Sequence, residues 1–124
     1  MARKDYQKTL LYNRKEYHRR KLNNPFHHRC LYLAIAAKTN GLKFDLDGSY
    51  LESIWDGKCS ISGIPIELNN KRHEENHAEM DKIIPELGYT KGNVQWTSRK
   101  FNRIKGGASK EDIKILYDWF NKNG

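Results

Sequence analysis

The chain has 124 residues, 37% of them hydrophobic and 31% charged, with a formal net charge of +8. That length fits one domain or a small domain with an appendage, and a mean hydropathy of −0.92 leaves material for only a small core. No apolar run approaches the ~20 residues of a membrane span, and the N-terminus lacks the apolar segment of a signal peptide. The expectation is a cytoplasmic protein with reduced cysteines and no membrane partner.

The charge is unevenly placed. Residues 1–38 hold ten Lys/Arg against two acids, Asp5 and Glu16, while the remaining residues hold thirteen of each sign. A basic arm on a neutral body suits a polyanion, because each neutralised phosphate releases condensed counterions. Tyr6, Tyr12, Tyr17 and His18 interleave the charges and can stack on bases. A solvated helix that only confers solubility is the plainer reading of the same residues. Arg14, Lys15, Arg19, Arg20 and Lys21 are the candidate nucleic-acid contacts of this arm.

In chain order, residues 1–22 have a partly helical pattern with few apolar anchors, so this segment reads as a helix stabilised by docking or by DNA. Asn23-Asn24-Pro25 is a break, with Pro25 suited to the first turn of a helix over 25–40 that stops at Gly41. A short strand over 43–46 and a short helix started by Ser49 follow, then a turn around Gly63-Ile64-Pro65 and a polar loop, NNKRHEENH. Residues 77–83 read as a strand on which His77, Glu79 and Asp81 share one face and Ala78 and Met80 the other. Pro85 and Gly88 mark a loop, and Lys91-Gly92-Asn93 a tight turn into the strand NVQW. Thr97 can cap a helix to about Lys105, which Gly106-Gly107 ends, with Phe101 and Ile104 facing the hairpin. Ser109 and Asp112 resemble a capping box for a last helix, whose Ile113, Leu116, Tyr117 and Phe120 fall on one face. Trp55, Trp96 and Trp119 read as core residues. Cys30 and Cys59 lack the paired spacing of a zinc site and read as buried thiols. The division is therefore a basic arm over 1–24 and a domain over 25–124.

A helix laid across a hairpin in this order can bring Asn102 against the strand that carries Asp81. A carboxylate with an amide oxygen is a hard, oxygen-only pair suited to Mg²⁺ or Mn²⁺ that keeps several waters. Asn93, at the start of the second strand, can use its amide to bond backbone across the loop. Taken one at a time, each of these residues is an ordinary surface Asp or Asn.

The segments Cys59-Ser60-Ile61-Ser62-Gly63-Ile64-Pro65-Ile66, Met80-Asp81-Lys82-Ile83-Ile84-Pro85, Gly88-Tyr89-Thr90-Lys91-Gly92-Asn93-Val94 and Lys100-Phe101-Asn102-Arg103-Ile104-Lys105 occur in an order that resembles the HNH endonucleases of the ββα-metal type. The small phage-encoded branch is the nearest in pattern, and the similarity spans roughly residues 28–120. It implies an α+β fold: a small, mainly helical domain around a ββα-metal core at about 77–107, with the basic N-terminal arm. It implies a metal-dependent DNA endonuclease that hydrolyses phosphodiester bonds, nicking or cutting both strands, in the host cytoplasm if phage-encoded. By position, Asp81 matches the metal-binding aspartate and Asn93 the asparagine that braces the loop. Asn102 stands at the last motif position, usually histidine, giving an H-N-N variant.

The departure is Lys82, where many members place the histidine that activates water. Three candidates for that task follow: His77, on the Asp81 face but four residues away; Lys82 itself, whose charged form would stabilise phosphate; and a metal-bound water alone. Arg99, Arg103 and Lys105, on or beside the last motif helix, are placed to grip flanking phosphates. Double-stranded DNA is the expected partner, and cutting both strands would require a homodimer or two sequential nicks. The alternative is a non-catalytic DNA- or RNA-binding protein on a degenerate HNH scaffold.

Overall fold

The computed structural model describes residues 23–68 and 71–124. The basic arm, with Arg14, Lys15, Arg19, Arg20 and Lys21, lies outside the described residues. Two compact units are formed: the described residues up to Asp56 with Lys82–Gln95, and Gly57–Asp81 with Trp96–Gly124.

Asn24 and Pro25 start α1 (Pro25–Thr39). The Asn24 side chain accepts from the His27 amide at 3.1 Å, and proline in the first turn has no amide to leave unpaired. Gly41, at φ +65°, follows the Asn40 C-cap and lets the chain leave the helix. Cys30, Leu33 and Ala37 form the buried stripe of α1. Against α1 packs α2 (Gly48–Ser53). Its cap is Asp47 rather than the expected Ser49, with the carboxylate accepting from the Tyr50 amide at 2.7 Å. That hydrogen bond, helped by Lys91, holds Asp47 below the usual carboxylate range. Gly48 sits where a Cβ would lie 3.0 Å from His27 Cα, so a side chain there would need the two helices to give by a few tenths of an ångström.

The strand expected over 43–46 is a single parallel bridge between Phe44 and Tyr89. Just before Tyr89, Gly88 has φ +71°, and a Cβ on it would lie 2.6 Å from the Lys43 carbonyl oxygen. Only glycine fits there.

The hairpin is β1 (Ala78–Lys82) and β2 (Val94–Ser98), joined through a 3-10 turn at Pro85–Leu87. The Ile83 amide donates to the Asn93 carbonyl at 2.8 Å, continuing an antiparallel ladder into the turn. From β2 the chain passes directly into α3 (Arg99–Lys105), then α4 (Lys110–Asn123). The fold is α+β. The first unit buries Leu46, Leu51 and Val94 beside the α1 stripe; the second buries Cys59, Ile66, Ala78, Met80 and Trp96. No helix among the described residues is long and apolar enough to cross a membrane.

Several expectations shift. Ser98, not Thr97, caps α3, accepting from the Phe101 amide at 3.1 Å. Thr97 is fully buried in β2, where a β-branched side chain packs well. With the helix starting one residue later, Asn102 and Lys105 turn inward and Ile104 is 56% exposed. The reciprocal capping box of Ser109 and Asp112 is present at α4, yet Ile113, Leu116, Tyr117 and Phe120 are all exposed, and so is Trp119. Trp96 is core, whereas Trp55 is half-buried and meets Phe26 edge-on with centroids 5.9 Å apart. Periodicity marks a face as amphipathic; it does not supply the neighbour that would cover it.

Candidate functional site

Strand alternation gives β1 two faces, Ala78 and Met80 on one and Glu79 and Asp81 on the other. Both faces are covered. Asp81 is only 7% exposed, because α3 lies against it. The Asn102 amide Nδ2 donates to Glu79 Oε1 at 2.9 Å, and Lys105 Nζ donates to Asp81 Oδ1 at 3.0 Å. Residues two apart on a strand are separated by ~6.6–6.8 Å. Residues three apart on a helix are neighbours, ~5–6 Å between Cβ atoms. The two spacings match, so strand and helix run side by side in the same direction at this contact.

Asp81 and Asn102 thus share one strand–helix face, each bonded to the residue beside the other. A buried carboxylate without a counter-charge is strongly unfavourable. Lys105, whose side chain is 30% exposed, supplies that charge. This lysine, expected on a phosphate, rests on the carboxylate in the structure. Glu79 is the residue that sequence reasoning left out of the site, although alternation had already placed it on the Asp81 face.

The oxygens available here are the Asp81 and Glu79 carboxylates and the Asn102 carbonyl. Among the described residues no group of three or more His, Cys, Asp or Glu is placed to hold a metal ion. These are hard oxygen donors, without the sulfur and imidazole donors typical of a structural zinc site.

Asn93 is 6% exposed and its amide spans the hairpin loop. Its Oδ1 accepts from the Ile84 amide at 3.0 Å, while Nδ2 donates to the carbonyls of Ile84 at 2.9 Å and Gly88 at 2.8 Å. The turn before it is tied as well: the Lys91 amide donates to Asp45 Oδ1 and the Gly92 amide to the Tyr50 hydroxyl, both at 2.7 Å.

The remaining candidates are spread out. Lys82 holds its ammonium 4.9 Å from the centroid of the Tyr89 ring, a cation–π contact. His77 is buried, its amide donating to the Glu74 carbonyl at 3.1 Å and its carbonyl accepting from the Arg99 amide at 2.8 Å. The strand beyond it is unbroken, so His77 and Asp81 stand ~13 Å apart along the chain; the bend that would bring them together is absent among the described residues. Arg99 is half-buried at the start of α3 and Arg103 is exposed.

Both cysteines are buried and free. Burial, with Asp47 contributing, pushes the Cys30 thiol up. Burial also works to raise Cys59, but hydrogen bonds from Ser62 and from the backbone of Ser98 and Ile61 outweigh it and bring that thiol down to about 7.

No family model and no solved structure matches the chain. It is similar to an uncharacterized 29.0 kDa protein of Enterobacteria phage T4, from the dda–modA intergenic region, with 30% identity over 93 residues. The match covers 74% of this chain and 36% of that protein, so the chain spans little more than a third of its relative.

Proposed function

We propose that the chain is a metal-dependent DNA endonuclease of the HNH type, built on a ββα-metal core. The observation that carries this reading is the face shared by β1 and α3. There a buried strand carboxylate, Asp81, already holds a cationic group, and a helical amide, Asn102, stands beside it with hard oxygen donors only. Asp81 and Asn102 would hold Mg²⁺ or Mn²⁺. Bound there, the ion would neutralise charge that develops on the phosphodiester during hydrolysis.

The chain's own residues do the rest. Asn93 fixes the loop backbone through its three hydrogen bonds. Arg99 and Arg103 on α3 bind flanking phosphates, and Lys105 joins them once an ion replaces it on Asp81. The basic arm adds sequence-independent affinity for double-stranded DNA. Lys82 takes a charged role toward phosphate, and His77, ~13 Å along the unbroken strand from Asp81, stands too far off to take the proton. The similarity to a phage protein supports a phage origin, and an enzyme of this kind encoded by a phage would act in the host cytoplasm.

A second reading has its own support. Lys105 closes an ion pair on Asp81, and lysine stands where a water-activating histidine is usual, as in a DNA- or RNA-binding protein on a scaffold that has lost catalysis. Supercoiled plasmid separates the two. Wild type with Mg²⁺ or Mn²⁺ nicks it, and Asp81→Ala abolishes nicking while DNA affinity persists. Binding with no metal-dependent cleavage by wild type would replace the first reading by the second.

A further inference from the structure

We infer that Glu79 is a positioning residue for the metal centre: it sets which way the Asn102 amide faces. The inference rests on the reading above that Asp81 and Asn102 hold a divalent ion. An asparagine amide has two nearly isosteric ends, one an acceptor and one a double donor. Only the carbonyl end can ligate a cation, so a freely rotating Asn102 would spend part of its time presenting N–H groups to the ion, which repel it. A carboxylate oxygen such as Glu79 Oε1 is an acceptor. At 2.9 Å from the amide it tolerates the NH₂ end and rejects the oxygen end. A charge-assisted hydrogen bond of that length is stronger than one between neutral groups. The NH₂ end is thereby committed to Glu79, and Oδ1 is turned away from it.

The placement makes this economical. Glu79 stands two residues before Asp81 on the same strand face, and Asn102 one turn before Lys105 on α3. The strand that supplies the metal carboxylate therefore also supplies the orienter of the second ligand, with no further element required. Both groups are half-buried, so the hydrogen bond is only partly exposed to competing water. The arrangement is the counterpart, for an amide ligand, of the outer carboxylate that orients a ligating histidine.

The experiment is a double-mutant cycle on the full chain, read by Mn²⁺ titration calorimetry and by thermal unfolding without metal. Glu79→Ala weakens Mn²⁺ binding by about tenfold, within the range for loss of an outer-shell orienter. Glu79→Gln, which keeps an acceptor oxygen, recovers most of that loss. The deciding arm is Asn102→Asp, whose two ends are equivalent and need no orienting. In that background Glu79→Ala leaves Mn²⁺ affinity unchanged or tightens it, since a nearby like charge has been removed. If Glu79→Ala weakens binding equally in both backgrounds, Glu79 acts only on the fold and the inference is overturned. If wild type binds Mn²⁺ and Glu79→Ala binds it equally well, the inference fails while the nuclease reading stands. If wild type binds no divalent ion, the metal-centre reading itself fails and takes the inference with it.

Discussion

Asn93 offers the sharpest test of how the hairpin loop is held. Its amide is buried and makes three hydrogen bonds, one accepted from the Ile84 amide and two donated to the Ile84 and Gly88 carbonyls. Each is worth ~1 kcal/mol net, and the partners left behind bear desolvation costs of their own, so Asn93→Ala should cost about 2–4 kcal/mol. Against a total of ~5–15 kcal/mol for a domain, that is a large share. Asn93→Asp is the more telling variant, because it keeps shape and volume. It preserves the acceptor for Ile84 but sets a carboxylate oxygen against two carbonyls, and should cost as much as the alanine variant at neutral pH. The folded protein raises the pKa of the introduced carboxyl, since protonation restores one donor. The stability tied to its protonated form is therefore present at low pH and lost as pH rises through the folded value. Urea denaturation followed by tryptophan fluorescence, to which the buried Trp96 contributes, measures both variants. A loss below ~1 kcal/mol for alanine, or an aspartate tolerated as well as asparagine, would refute the bracing argument.

Gly88→Ala should cost at least ~3 kcal/mol by the same assay, because the backbone is in a glycine-only region and the new methyl meets the Lys43 carbonyl. Lys105→Met removes one ion-pair partner of buried Asp81; with the lysine partly exposed, a loss of about 1–3 kcal/mol is expected in metal-free buffer. The same variant should bind Mn²⁺ at least ~3-fold more tightly by calorimetry, since the Lys105 ammonium no longer competes for the carboxylate. The Cys59 thiolate, followed by its ultraviolet absorbance, should appear with a midpoint of about 7. That value lies below the ordinary thiol value, so the folded state binds fewer protons and stability rises with pH between the two; the contribution is lost as pH falls through about 7. Ser62→Ala should move the midpoint upward.

What was legible in the sequence is what local chemistry decides. Asn24-Pro25, Gly41 and the Ser109/Asp112 pair mark helix ends because a cap is satisfied by residues three or four positions away. The faces of β1 follow from alternation alone. The phase of α3 was harder, since Thr97 and Ser98 are both competent caps. The choice went to Ser98 because Thr97 is needed as a buried strand residue. A shift of one position turns a helix by ~100°. That shift moves Ile104 outward and sets Asn102 and Lys105 against β1. Trp119, expected in the core, is exposed together with the apolar face of α4, because a pattern does not supply a packing partner.

The pairing of Glu79 with Asn102 and of Asp81 with Lys105 lies at another level. The contacts join residues 23 and 24 apart, yet the chain between them is already folded back by the hairpin, so little extra loop entropy opposes them. What fixes the partners is the absence of any loop between β2 and α3: Ser98 is at once the last strand residue and the helix cap. That junction gives α3 no freedom to rotate about its axis, and rotation is the one adjustment that would exchange Asn102 and Lys105 for their neighbours. The ion pair of Lys105 with the buried Asp81 is then formed in the one helix phase that the junction allows. A polar constellation can therefore determine the geometry of this face, with apolar burial doing its part on the opposite side of β1, at Ala78 and Met80.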